Sequence, residues 1–357
     1  MKINTTWHSG LGLGLGLRHR RSARAALAFA LAALAPAFLT PAALAQTPPP
    51  DYDFDWAVIT DLNNSAYAGD PEFGTNAGRG SVPYTYRISR LEVTTAQWME
   101  FMNTFSTQGV NMSSHRPISW GAQQSGNRYE LRNMPSAAMI PLRGINWRSC
   151  AQYCNWLTNG KSSNPASLLT GAYDVSTFGD DPGGWFTDQL AHSPGALFWI
   201  PTLDEWLKAV HYDPHRNGLG QGGWWEYCNS SDVPPVSGPP GVGETTAGYR
   251  APGFAELSVP LGAYPGTRTP WGLLDASGGA AEWMETVMGP APHFSRLLDG
   301  TWAGSDSQSS MDRAGSTDGA GPNFRGYAGL RIVSIPAPSL WMLVLIPVVA
   351  QRRRKTR

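Results

Sequence analysis

Three kinds of side chain in this 357-residue chain have the chemistry to react or to bind a metal. Cys150, Cys154 and Cys228 are its thiols. Cys150 and Cys154 stand one helical turn apart. A copper or iron site from the three would need a coincidence of geometry, and packing as a small buried hydrophobe is the plainer reading, above all for Cys154. In an exported chain a disulfide from Cys228 to either of the others is expected, leaving one buried thiol. His211 and His215 have the i,i+4 spacing of a helical metal pair. Asp213-Pro214 falls between them, so HYDPHRNG reads as a helix end and turn with exposed histidines. Ser305, Ser307, Ser309 and Ser310 crowd a third, hydroxyl-rich stretch. No HExxH, no GxSxG nucleophile elbow and no phosphate-binding loop accompanies them.

The elements that must position these residues are short. Residues 54–64 read as a strand entering a loop, and residues 83–93 alternate well enough for a second strand. Thr94 or Thr95 then caps a helix in which Trp98, Phe101, Met102 and Phe105 recur at helical spacing. A second helix within residues 141–160 is capped near Asn146 and ended by Asn159-Gly160. A third follows a short strand at Phe198, with Thr202 as cap and Glu205 at the capping-box position. From Trp271 to Arg331, Gly, Ser and Asp punctuate the chain too densely for long helices. Trp271, Leu273, Trp283, Trp302, Tyr327 and Leu330 still supply large apolar anchors there. That alternation predicts a loop-rich core fixed by packing and a bound cation. The fold class is α+β, a single loop-rich domain over residues 54–334, after a linker at 46–53.

Both ends read as sorting segments. Arg18, Arg20, Arg21 and Arg24 precede an alanine-rich run that closes on Ala43-Leu44-Ala45, the pattern of a signal peptide over residues 1–45. Residues 335–357 hold a short apolar run and then Arg352, Arg353, Arg354, Lys355 and Arg357, which suits contact with a membrane surface. Of the 27 basic residues ten lie in these ends, so the middle keeps 17 against 27 acidic ones, a net of −10. That charge excludes a nucleic-acid footprint and is compatible with cation binding.

Segments EVTTAQWMEFMN, GINWRSCAQYCNWL, WIPTLDEWLKAV, WGLLDASGGAAEW, DGTWAGS and GYAGLR stand in this order between Glu92 and Arg331. In that order they resemble the motifs of the formylglycine-generating enzyme, or sulfatase-modifying factor, family. The resemblance implies a fold related to C-type lectin-like domains. It also implies calcium, with Asp275, Gly278, Ala280 and Glu282 at the family's ligand positions, and hard oxygen donors suit that ion. Gly279 stands where the family has Asn and Ala281 where it has Trp. Arg313 and Arg331 match the family's closing arginines, which implies buried ion pairs that fix loops.

The family's copper-binding cysteine pair follows its GGSW motif. Here residues 303–315 read AGSDSQSSMDRAG and contain no cysteine. Serine hydroxyls are poor copper ligands and cannot cycle through a disulfide, so formylglycine generation by copper is not expected. Iron would need a compact set of histidines and carboxylates, which this sequence does not offer. The C-terminal tail resembles the PEP-CTERM sorting signal, with Pro336-Ala337-Pro338 in place of Pro-Glu-Pro. It implies an exosortase-type partner and export to the periplasm, outer surface or extracellular matrix of a Gram-negative bacterium. The expectation is an envelope protein that uses a groove near Trp302, Ser305, Ser309 and Arg313 to bind peptide or polysaccharide. A divergent non-haem oxidase or protein-modifying enzyme and an inert exopolysaccharide-matrix component are the alternatives.

Overall fold

The computed structural model describes residues 49–336 apart from 73, 254 and 306–311, all within one compact unit, Gln46–Arg357. The expected signal peptide and nearly all of the sorting tail lie outside the described residues, as does Ser309. Among the described residues no helix is long and apolar enough to cross a membrane.

In chain order the strands and helices are β1 (Trp56–Ile59), β2 (Tyr86–Ser89), α1 (Thr95–Ser106), β3 (Ala122–Ser125), β4 (Arg128–Leu131), α2 (Trp147–Thr158), β5 (Phe198–Trp199) and α3 (Leu203–His211). They continue as β6 (Tyr212–Asp213), β7 (Gly223–Trp224), β8 (Ala281–Val287), β9 (Arg296–Asp299), β10 (Asp318–Ala320), β11 (Ala328–Gly329) and β12 (Val333–Ser334). One sheet runs β1-β2-β12-β5 and is antiparallel throughout. The other runs β10-β9-β8-β11, with β11 parallel to β8. Hairpins β3–β4 and β6–β7 complete the α+β arrangement predicted from the sequence.

The three helices start where local chemistry dictates. Thr94 Oγ1 accepts from Gln97 N at 3.3 Å, and Gln97 Oε1 accepts from Thr94 N at 3.0 Å, closing a reciprocal box on α1. Asn146 caps α2 by accepting from Ser149 N at 2.7 Å. Thr202 and Glu205 repeat the box on α3, and Glu205 is fully buried. From there Glu205 also accepts from Trp199 Nε1 and from the Tyr84 hydroxyl, so one capping residue ties α3 to β5 and to the start of β2. Trp98, Trp147, Trp156, Trp206 and Trp283 are each no more than 1% exposed and form the heart of the core between the two sheets' elements. Truncating one such ring to alanine costs about 3–5 kcal/mol.

Two local expectations are corrected. His211 is not on an exposed turn, because α3 runs through it before Pro214 can end the helix, and the ring is buried near Trp206. His215 alone is exposed. All three cysteines are free thiols. Cys150 and Cys154 pack side by side on α2, while Cys228 lies close to Asp312, so no disulfide forms. Burial pushes all three thiols well above their ordinary range.

Candidate functional site

β8 begins at Ala281, directly after the Gly278-Gly279 turn, and its second residue is Glu282. Glu282 is buried beside Arg331, which has no solvent exposure at all. Arg331 gives Nη2 to Glu282 Oε1 at 2.7 Å and Nε to Oε2 at 2.9 Å, a bidentate pair. Its remaining donors go to Ser89 O at 2.8 Å and Leu274 O at 2.9 Å. Trp206 Nε1 also donates to Glu282 Oε2 at 2.7 Å. The closing arginine thus joins β2, α3, β8 and the loop before it.

Two further carboxyls share this neighbourhood. Asp275 accepts from Gly262 N at 2.7 Å and is raised to about 6, by burial first and by Glu282 as a lesser cause. Glu92 accepts from Ala280 N at 3.1 Å, and its Oε2 has no partner among the described residues. Burial and the neighbouring Glu282 hold Glu92 well above the usual carboxylate range. Glu92 also explains a departure from the family pattern. A Cβ at Gly279 would lie 2.3 Å from Glu92 Oε1, so this position takes glycine. Sequence reading overlooked Glu92; its only signal was an acid two residues before a helix cap.

The calcium expectation is tested by these donors. Asp275, Gly278, Ala280 and Glu282 do lie along one turn and strand. As arranged they do not fit a calcium ion, because Glu282 commits both oxygens to Arg331 and Trp206 and Asp275 already takes a backbone donor. Among the described residues no three His, Cys, Asp or Glu side chains converge as a metal-holding group.

Of the expected binding residues, the described ones, Trp302, Ser305 and Arg313, do not gather in one place. Trp302 lines a groove of about 450 Å³. Ser305 follows it in sequence but is buried. Arg313 does not line the groove; it pairs with Glu226 at 2.8 Å and donates to the Tyr227 hydroxyl. The groove is instead completed by Arg143, Arg250, Glu256, Ile118 and Tyr327, which sequence reading missed because they come from four separate stretches.

Local structure fixes each wall. Arg143 exchanges backbone hydrogen bonds with Ser119, and Gly144 next to it has φ +76°. A Cβ at Gly144 would meet Ile118 at 2.6 Å, so glycine lets that strand-like pair close. Trp302 lies flat on Tyr327, centroids 3.7 Å apart and planes 9° apart, and the Tyr327 hydroxyl donates to Asp318 at 2.8 Å. Arg250 gives Nε to Gly304 O at 2.7 Å. Gly279 O accepts from Ala303 N at 3.1 Å, which ties the groove to the Glu282 turn.

The fold and these two neighbourhoods define a loop-rich α+β domain with a shallow aromatic and cationic groove. Residues 68–335 match the family described as "Sulfatase-modifying factor enzyme 1-like domain", and the chain belongs to it. No curated protein matches the chain. Among solved structures it is similar to "Crystal Structure of CarF" at 18% identity and a TM-score of 0.50, covering 80% of this chain and 99% of that one. It is also similar to "Treponema denticola variable protein 1" at 17% identity and a TM-score of 0.48, covering 79% and 95%. A third is "Structure of PvdO from Pseudomonas aeruginosa", at 13% identity and a TM-score of 0.46, covering 81% and 97%. At 18% identity the likeness to the first of these speaks to the fold alone.

Proposed function

We propose that this chain is a divergent member of its family, an exported envelope protein that binds a ligand in the Trp302 groove and does not oxidise a peptide cysteine. The observation that carries this reading is the placement of sulfur. All three thiols are buried, at 3% exposure or less, and none lines the groove. A thiolate is the form that binds soft metals and exchanges disulfides. Burial pushes these thiols the wrong way for that work, and the stretch after Trp302 offers serine in place of cysteine. What the groove retains is recognition chemistry, an aromatic wall with two guanidinium groups and one carboxylate. Export is supported by the Arg18–Ala45 leader pattern, the basic C-terminal tail and the acidic middle.

The test is twofold. Incubation with cysteine-containing peptides, oxygen and copper should leave their masses unchanged, and an aldehyde product would overturn the reading. Glycan and peptide arrays should then return a ligand whose capture disappears in Trp302→Ala.

A further inference from the structure

Arg143 is only 6% exposed, yet no carboxylate lies within ion-pair distance of it among the described residues. Its only acceptors among the described residues are Gly279 O and Ala303 O, both reached from Nη1 at 3.4 Å, a length at which little hydrogen-bond strength remains. Nε and Nη2 have no acceptor among the described residues. Burial lowers the group to about 10, which leaves it charged at neutral pH. Another buried arginine shows how the fold treats such a group when it is structural. Arg296 donates to the carbonyls of Leu190, Gln189 and Glu285 and rests on the Trp147 ring, 3.8 Å from its centroid. Among the described residues Arg296 leaves only its Nε without a partner, whereas Arg143 leaves Nε and Nη2 and keeps only two long Nη1 contacts, and its side chain lines the groove.

The guanidinium's Nε and Nη2 are therefore available to an acceptor that enters the groove. A planar carboxylate matches its two-pronged donor edge. Arg250 brings a second guanidinium to the same groove, and Glu256 is the carboxylate among its described lining residues. The Trp302–Tyr327 stack adds a flat, rigid wall. Apolar C–H faces of a sugar ring pack well on the electron-rich face of such a wall. The thin stem of an Asp or Glu side chain would leave most of it uncovered. Glu256 also lines the groove and can accept a hydrogen bond from a sugar hydroxyl.

Building on the ligand-binding reading above, we propose that the groove holds a hexuronate residue of an acidic polysaccharide, with its carboxylate on Arg143 and its ring against the Trp302 wall.

The experiment uses the full chain and three probes: tri-galacturonate, its methyl ester and the tripeptide Glu-Glu-Glu. Titration calorimetry and tryptophan fluorescence follow binding. Tri-galacturonate should bind, and esterification should weaken it by at least about tenfold, the worth of a charge-assisted hydrogen bond. Arg143→Gln should cause a similar loss, with Arg143→Lys recovering part of it. Arg250→Gln, at an exposed position, should weaken binding less while leaving the melting temperature in place. This second variant keeps the test valid if Arg143→Gln does not fold. Equal binding of acid and ester, no response to the arginine variants, or no binding of tri-galacturonate would each overturn the proposal. Tighter binding of Glu-Glu-Glu would transfer the site to an acidic peptide. If acid and ester bind equally and Trp302→Ala abolishes both, the anion assignment fails while the binding groove survives.

Discussion

Arg331 and Arg143 are both buried guanidinium groups, and the protein treats them in opposite ways. Arg331 spends its donors on Glu282, Ser89 and Leu274, at 2.7 to 3.1 Å. Arg143 makes two contacts of 3.4 Å from a single nitrogen. The first is a completed knot that joins sheet, helix and loop. The second is a charge held ready at the floor of a groove. Since desolvation is costly in both places, saturation by the protein's own atoms separates a structural arginine from a recognition arginine.

That contrast breaks most visibly at Glu282. Glu282→Ala leaves Arg331 buried without a counter-charge and should cost about 3–5 kcal/mol, read from denaturant melts of the two proteins. A loss below about 1 kcal/mol would show that Arg331 is not held by this pair. Trp206→Phe keeps the ring's apolar body but removes the 2.7 Å donor to Glu282, and a cost of about 1.5–3 kcal/mol is expected.

Titration sharpens the same comparison. Asp275 has a folded value near 6 against an ordinary 3.8, so the fold binds more protons than the unfolded chain between those values. Its contribution to stability is therefore complete below about pH 4 and is lost as pH rises through about 6, at up to about 1.4 kcal/mol per unit. Asp275→Asn should flatten this, so the stability difference between variant and parent should move in the variant's favour from pH 4 to pH 7. A pH-independent difference would remove Asp275 from the network. The Arg143 side, lowered only to about 10, should show no change over that range.

Arg143→Met is the smaller test. Because little is bonded to the guanidinium and its burial is costly, stability should stay level or rise, while anionic ligand binding falls. A loss as large as that of Glu282→Ala would erase the distinction between the two arginines. Calcium is the smallest. Midpoints in millimolar calcium and in chelator should coincide, because both Glu282 oxygens are already committed, and a rise in calcium would restore the cation reading.

Several of these features were legible in the sequence. Thr94, Asn146 and Thr202 caps, the aromatic period of α1, and the order of motifs from Glu92 to Arg331 all led to the right elements. So did the buried ion pair expected of Arg331. His211 was misplaced because Pro214 was given too much reach; it stops the helix only after the ring has been carried into the core. Arg313 was grouped with Arg331 by motif, but its neighbours left it partly exposed against Glu226.

What the sequence determined by itself was local. A cap and the backbone it satisfies lie three residues apart, and a turn needs only the glycine that permits it, so residue order suffices for both. The fate of each arginine was decided elsewhere. Arg143 meets Gly279 across 136 positions, and Arg331 meets Ser89 across 242. Nothing near either residue records whether acceptors will be waiting. Only when β8, the Trp302 loop and the two sheets are packed together does one charge find its partners within the protein while the other is left facing the groove.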